Sequence, residues 1–175
     1  MGKKKGKENK VLVLIDFENL IISAKNNIEP VQFSLESGFR KIIEIITKEI
    51  GEIVAIFAFL PSDRAIVWGT DLYELGFNII LCPRAKDKKG EEQDTTDSQL
   101  IKLGEWLIDH IIDLTHLCIG SGDKDFSPLM KKAALKGLKN VIVAADVRSL
   151  SSQLIKLTNT NPLTGRKMVY TFLPI

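Results

Sequence analysis

Several residue types are scarce in this chain of 175 residues, which has two cysteines, two histidines and an aromatic content of 7%. Cys82 and Cys118 each lie in a short apolar run. We therefore expect small buried side chains and no disulfide, in keeping with a reducing, cytoplasmic setting. No apolar run approaches the roughly 20 residues of a bilayer-spanning helix, so we expect no membrane segment. These shortages argue against disulfide-stapled and membrane-spanning classes of protein.

The positive charge is concentrated at the amino terminus. Residues 1–10 hold five lysines and one glutamate, a net charge of +4, which leaves −2 for the rest of a chain whose net charge is +2. This leader lacks the apolar stretch of a secretory signal, and we expect it to be disordered, with at most a non-specific attraction to a polyanion. A hydrophobic content of 45% is enough for one core, so we expect residues 11–175 to form a single domain.

Short apolar runs alternate with amphipathic segments after the leader. The runs are rich in β-branched residues, which predicts buried strands over residues 11–15, 53–59, 78–82, 115–119 and 140–145 and an edge strand over residues 168–172. Helical spacing predicts helices over residues 17–26, 33–50, 63–75, 97–112, 126–136 and 149–157. Strands separated by such helices imply right-handed crossovers, and hence a Rossmann-like, three-layer α/β/α fold around a central parallel sheet.

Carboxylates lie at three of the strand-to-helix junctions. Asp16 ends the first strand, Asp97 opens the fourth helix, and Asp123 and Asp125 follow the fourth strand. Each of them alone is explained as a helix cap, the commonest role of Asp at such a turn. Together they indicate a shared site, because the carboxyl ends of parallel strands lie at one edge of the sheet, where a ligand crevice forms.

The residue types at these junctions suit a metal ion. Carboxylates aimed at one crevice repel each other unless a cation or a shared proton compensates, and hard oxygen donors suit Mg²⁺ or Mn²⁺. Gly120 and Gly122 allow a sharp turn close to a ligand, and Ser121 adds a hydroxyl at that turn. Asn19 lies one helical turn after Asp16, where its amide can orient a water or a phosphate oxygen. The pattern predicts a metal-dependent enzyme that acts on phosphate.

These motifs resemble the NYN domain of the PIN-like nuclease superfamily, and its LabA-like branch in particular. The resemblance covers residues 10–158 and rests on the Asp-x-x-Asn after the first strand, on the Asp before the fourth helix and, most specifically, on Ser-Gly-Asp-x-Asp-Phe-x-Pro-Leu over residues 121–129. It implies metal-binding carboxylates at Asp16, Asp97 and Asp123, a supporting ligand at Asp125, and polar site members at Asn19 and Ser121. It also implies a sheet order of 3-2-1-4-5. One motif departs from the branch, because six residues separate Lys89-Gly90 from Asp97 where the branch has one.

The resemblance implies hydrolysis of RNA phosphodiester bonds with Mg²⁺ or Mn²⁺ as cofactor. The acidic centre itself repels phosphate, so substrate attraction has to come from basic residues, for which the candidates are Arg84, Lys86, Lys88, Lys89, Lys124 and Arg148. Four of these lie in residues 84–93, a polar stretch that we expect to be an exposed, mobile loop. The aromatic residues Phe57, Phe59, Trp68, Trp106 and Phe126 lie in core-like patterns, so we expect no exposed platform for base stacking.

Two other functions stay open from the sequence. A regulatory module on the same fold could bind RNA or a protein partner without cleaving it, because fold does not fix function. A phosphatase of the haloacid dehalogenase type ranks last, since Asp16-Phe17-Glu18 lacks the second Asp that such enzymes use. His110 falls late in a helix and His116 opens a strand, so we expect neither to be catalytic. The sequence also leaves open whether the chain forms a homodimer.

Overall fold

A computed structural model describes residues 8–25 and 35–172. Its strands are β1 (Lys10–Asp16), β2 (Glu52–Leu60), β3 (Asn78–Leu81), β4 (Ala85–Lys86), β5 (Glu92–Gln93), β6 (His116–Gly120), β7 (Lys139–Ala144) and β8 (Val169–Thr171). Its α-helices are α1 (Phe17–Lys25), α2 (Leu35–Glu49), α3 (Ser62–Glu74), α4 (Thr96–His110), α5 (Ser127–Leu135) and α6 (Ser152–Leu157). Short 3₁₀ helices, Lys124–Phe126 and Val147–Ser149, precede α5 and α6.

The main sheet is parallel throughout, with the strand order β3-β2-β1-β6-β7-β8. This confirms the predicted fold class. Counted along the predicted strands, the order is the expected 3-2-1-4-5, extended by β8 as a sixth strand at the β7 edge. Successive strands are added on one side of β1 as far as β3, and on its other side from β6 to β8. The strand order therefore reverses between β1 and β6, and a crevice forms at such a switch point.

The sheet is covered on both faces because its central strand is apolar on both sides. Val11, Val13 and Ile15 face one core, which α1, α2 and α3 cover with Phe17, Phe39 and Leu72 among other side chains. Leu12 and Leu14 face the second core, which α4, α5 and α6 complete. Successive strand residues point to opposite faces, so a continuous apolar run such as 11–15 serves both layers at once.

The structure differs from the sequence expectations at several boundaries. β1 begins at Lys10, and the Asn9 side chain donates to the Ile50 carbonyl at 2.9 Å, so Asn9 and Lys10 of the predicted leader are part of the fold. The rest of that leader, residues 1–7, lies outside the described residues, as do the last residue of the predicted helix 17–26 and the first two of the predicted helix 33–50. The last two helices are each split into a 3₁₀ turn and an α-helix.

The polar stretch 84–93, predicted as a loop, contains a short antiparallel hairpin of β4 and β5. Asp87 holds its turn by accepting hydrogen bonds at Oδ1 from the backbone of Lys89 at 2.8 Å and of Glu91 at 2.9 Å. Gly90 supplies the left-handed conformation that the turn needs, with φ of 79°. The hairpin therefore gives the basic residues of this stretch defined positions.

Among the described residues, no helix is both long enough and apolar enough to cross a bilayer. The longest, α2 and α4, have 15 residues each.

Candidate metal centre

The sheet order places two of the acidic junctions side by side. β1 and β6 are direct neighbours, and Ile15 is paired in register with Gly120. Asp16 is the next residue of β1, and Ser121 is the residue after β6. Since parallel strands end at the same edge of the sheet, Asp16 and the segment 121–125 leave the core together.

Three carboxylates meet at this edge. Asp97 from the first turn of α4 lies with Asp123 and Asp125, which flank Lys124 after β6, and one oxygen of each of the three lies within 4.8 Å of the others. Asp97 and Asp123 are half-buried, whereas Asp125 is exposed. The cluster therefore opens to solvent on the Asp125 side.

Asp16 lies outside this group of three, and it is the most buried acidic side chain of the site, with an exposed fraction of 5%. Burial, together with the charges of Asp97, Asp94 and Asp123, raises the pKa of Asp16 to about 7, although a hydrogen bond from Asn19 opposes the shift. Burial and the charges of Asp123, Asp94 and Asp125 raise the pKa of Asp97 to about 6. These five carboxylates thus form one electrostatically coupled set.

The turn after β6 is held by polar contacts. Asn19 Oδ1 accepts the backbone N–H of Gly122 at 3.2 Å, which ties α1 to this turn. The buried Ser121 accepts the backbone N–H of Asp123 at its Oγ, at 3.2 Å. Both predicted polar residues therefore lie at the acidic edge, where they shape the loop that carries Asp123.

The alternative explanation of these aspartates as helix caps holds for some of them. Asp123 caps the 3₁₀ helix by accepting the backbone N–H of Asp125 at 2.9 Å, and Asp16 accepts that of Asn19 at a long 3.4 Å. Asp97 has no such role among the described residues, because the residue at the α4 N-cap is Thr95 and Asp94 accepts the backbone N–H of Thr96. Capping leaves Asp97 unexplained.

The donor set fits a hard divalent cation. Mg²⁺ binds oxygen at about 2.0–2.1 Å, so ligands on opposite sides of one ion lie about 4 Å apart, close to the 4.8 Å within which the oxygens of Asp97, Asp123 and Asp125 lie. A cation among them would also offset the repulsion that, after burial, raises the pKa of Asp16 and Asp97.

The profile of the NYN domain family matches residues 10–161, most of the chain. The chain belongs to the NYN family. NYN domains are generally nuclease-like and have the PIN-like fold, which confirms the family predicted from the motifs; the LabA-like branch stays a prediction. No curated protein matches the sequence significantly.

A solved structure shares the fold of this NYN domain. The crystal structure of VPA0982, a protein of unknown function from Vibrio parahaemolyticus, superposes with a TM-score of 0.71 at 18% identity, over 89% of this chain and 92% of that chain. At this identity the similarity supports the three-layer fold and carries no information on activity.

The predicted cationic residues of the NYN domain fall into two groups. Lys86, Lys88, Lys89 and Lys124 are exposed and make no ion pair within the described part of the chain. Arg84 and Arg148 are paired: Arg84 Nη2 lies 3.2 Å from Glu18 Oε1, and Arg148 Nη2 lies 3.1 Å from Asp146 Oδ2. Lys124 lies between Asp123 and Asp125, so the acidic cluster has an unpaired cation beside it, and the other three lysines lie on the β4–β5 hairpin.

Sequence reasoning missed three charged residues of this edge. Asp94 contributes to the raised pKa of both Asp16 and Asp97, although Asp97 alone was singled out. Glu18 and Arg64 form an ion pair with Nε–Oε1 at 3.0 Å. Their positions just after strand ends could have identified Glu18 and Arg64 in the sequence, because Glu18 follows Asp16 by two residues and Arg64 lies in the first turn of α3.

The histidines and one tryptophan lie away from the acidic edge. His116 is buried at the amino end of β6, and His110 is near the end of α4, so neither reaches the cluster from its strand or helix position. Trp106, expected in the core, is 55% exposed and stacks on His110 with ring centroids 4.2 Å apart. The prediction was wrong because Trp106 follows the helical spacing of the apolar α4 residues, although it lies at the edge of the face that they bury.

Proposed function

We propose that this NYN domain is a metal-dependent ribonuclease that hydrolyses RNA phosphodiester bonds at the acidic edge of the sheet. The observation that carries the proposal is the convergence of Asp97, Asp123 and Asp125, with oxygens within 4.8 Å of one another, beside the buried Asp16. Such a cluster is costly to keep without a function, because burial and mutual repulsion both disfavour the charged forms.

Asp97, Asp123 and Asp125 would hold Mg²⁺ or Mn²⁺, with Asp16 completing the site from the buried side. A bound ion of this type activates a water and stabilises negative charge on the scissile phosphate and the leaving oxygen. Asp16, with a pKa of about 7, holds a proton in much of the metal-free protein at neutral pH and loses it when positive charge enters the cluster.

The polar residues position the loop and the substrate. Asn19 uses Oδ1 to hold Gly122, which leaves its amide N–H groups, without a partner among the described residues, as donors to a phosphate oxygen or a water. Ser121 keeps Asp123 in place through its Oγ. Lys124 and the hairpin lysines offset the negative charge that would otherwise repel the RNA strand.

The test is an RNase assay on single-stranded and structured RNA with Mg²⁺, Mn²⁺ or EDTA. We expect cleavage with a divalent ion, none with EDTA, and a loss on the order of 10²-fold or more in Asp123→Asn, because the metal contributes several kcal/mol to transition-state stabilisation. Asp71→Asn, which neutralises an exposed carboxylate of α3, is the matched control and should cleave at the wild-type rate.

The same samples separate catalysis from binding. Wild-type protein that binds RNA but leaves it intact under every metal condition would establish the regulatory module instead. Mn²⁺ alone should raise the melting temperature of the wild type and of Asp71→Asn, because an ion that binds only the folded state stabilises it. Asp123→Asn should lose most of that shift while it stays folded by circular dichroism.

A further inference from the structure

A surface hollow lies next to the acidic edge, on the face of the sheet that α1 and α3 cover. Its lining residues are Phe17, Glu18, Ile21, Ile22, Arg64 and Trp68. Phe17 and Glu18 directly follow Asp16 along the chain, so the hollow begins in the first turn of α1 after that carboxylate. Its wall combines apolar side chains with the charged Glu18 and Arg64, and Ile22 is 47% exposed at the rim.

Two arginines from different strand ends converge on Glu18, at the polar side of this hollow, and Arg64 also lines the hollow itself. Arg64 comes from the first turn of α3 after β2, and Arg84 comes from the segment after β3. Both contact the same oxygen of Glu18, Arg64 through Nε at 3.0 Å and Arg84 through Nη2 at 3.2 Å. The Glu18 side chain is only 13% exposed, so it is a fixed anchor for two partly exposed cations.

This pairing leaves hydrogen-bonding capacity unused. A guanidinium has five N–H donors in a planar fork, and the contact with Glu18 engages one nitrogen of each arginine. Asp63 approaches Arg84 Nε only at 3.9 Å and is mostly exposed, so solvent screens its charge. Two forks held side by side with free donors match the oxygens of a phosphodiester.

The size of the hollow limits what it can take. Its volume is about 50 Å³. Sites for whole small-molecule ligands measure several hundred Å³, on the order of 300–1,000, so this hollow is too small for one. It admits only the edge of one flat group, such as the edge of a nucleobase, beside Ile22 and Trp68.

We propose that the hollow and the Glu18–Arg64–Arg84 cluster form a nucleotide subsite for the RNA strand. Arg64 and Arg84 bind a phosphate next to the scissile one, and the edge of the attached base enters the hollow between Ile22 and Trp68. Glu18 is a positioning residue that holds both guanidiniums toward that phosphate. The inference rests on the proposed ribonuclease function, since it takes RNA as the ligand.

The chain contains two tryptophans, and they allow the subsite to be observed directly. Trp68 lines the hollow, whereas Trp106 is exposed on α4. In a Trp106→Phe background, the fluorescence reports on Trp68 alone. Titrations in EDTA with an adenosine pentaribonucleotide, with AMP and with inorganic phosphate measure binding without cleavage.

We expect the pentaribonucleotide and AMP to change the Trp68 emission, and inorganic phosphate to leave it unchanged. Arg64→Ala and Arg84→Ala should each weaken pentaribonucleotide binding about tenfold, since one charge-assisted hydrogen bond contributes enough for that factor. Arg166→Ala is the control. It removes one exposed arginine from the loop that follows Asn161. The Asn161 side chain donates to the carbonyl of Glu49, just before β2 begins, so this loop lies at the amino ends of the strands and the variant should leave binding unchanged.

Two results would overturn the subsite. One is pentaribonucleotide binding, measured by calorimetry, with no change in Trp68 emission. The other is an equal loss of affinity in Arg166→Ala and Arg64→Ala, which would indicate general charge attraction. Neither result depends on turnover, so an inactive protein that shows the Trp68 response refutes the ribonuclease and keeps the subsite.

Discussion

The backbone N–H of Gly122 donates to Asn19 Oδ1 at 3.2 Å, and this hydrogen bond joins two of the three chain segments that supply the acidic edge. The carbonyl of Gly122 accepts the backbone N–H of Ser151 at 3.0 Å, so the same residue also fixes the segment before α6. Gly122 thus connects α1, the turn after β6 and the approach to α6. The geometry of the Asp123–Asp125 segment depends on it.

Gly122→Ala should therefore be strongly destabilising. A Cβ at this position would overlap the Ser149 carbonyl oxygen, which is backbone and cannot rotate away. We expect a decrease on the order of 2–4 kcal/mol in the free energy of unfolding, measured by urea titration. Gly69→Ala is the control, because its Cβ would meet only Ile79 Cδ1 at 3.7 Å inside α3, and it should stabilise by about 0.5–1 kcal/mol. Equal stability of the two variants would contradict the close packing at Gly122.

Asp16 should make the metal-free protein less stable as the pH rises. Its pKa is about 7 in the folded state against 3.8 ordinarily, so between about pH 4 and pH 7 the folded state binds more protons than the unfolded one, and the free energy of unfolding falls across that window. Asp16→Asn should reduce this fall to the part that the raised pKa of Asp97 causes, and it should be more stable than wild type at pH 8, by on the order of 2–4 kcal/mol, with little difference below pH 4. Urea titrations in EDTA across this range are the measurement, and parallel curves for the two proteins would show that Asp16 is not the cause.

His116 should act in the opposite direction. Burial and the charge of Lys139 lower its pKa to about 4, so between pH 6.5 and pH 4 the unfolded state binds more protons and stability falls as the pH decreases. In the Asp16→Asn background, His116→Gln should reduce the loss of unfolding free energy between pH 6.5 and pH 4 by about 1–3 kcal/mol, measured by urea titration. If the double variant loses as much stability over this range as Asp16→Asn alone, other groups cause the acid unfolding.

The lysines of the β4–β5 hairpin should contribute to RNA affinity through charge alone. Removal of one lysine–phosphate interaction lowers the salt slope of single-strand binding by roughly 0.7, so Lys86→Ala, Lys88→Ala and Lys89→Ala together should lower it by about 2. Fold stability should hardly change, since all three side chains are exposed and Asp87 keeps the turn. A triple alanine variant of Lys41, Lys48 and Arg166 removes the same charge elsewhere and is the control. If the hairpin variant leaves the slope unchanged, the basic residues 1–10 become the next candidates.

The sequence was sufficient to predict the parallel sheet because its central strands are apolar on both faces. Such strands, separated by helices, are typical of a parallel sheet that is covered on both sides. The adjacency of Asp16 and Asp123 then followed from topology, and it needed no knowledge of side-chain contacts. The β4–β5 hairpin was missed because two-residue strands carry no periodicity, and its turn is made by one Asp side chain and one Gly.

Ion pairs between residues far apart in the sequence could not be predicted either. Glu18, Arg64 and Arg84 come from three junctions, and nothing in the local sequence says that two arginines share one carboxylate oxygen. Trp106 was assigned to the core because helical spacing does not distinguish the centre of an apolar face from its edge. Both errors concern side-chain placement within correctly predicted elements.

The pairing of β1 with β6 brings together carboxylates that are made far apart in time during synthesis. Asp16 emerges from the ribosome first, and Asp123 and Asp125 follow more than 100 residues later. At about 5–20 residues per second, the interval between the first and last aspartate is on the order of 5–20 seconds. Nascent or truncated chains that end before β6 therefore carry isolated aspartates, and the messenger from which they are translated meets no assembled acidic centre.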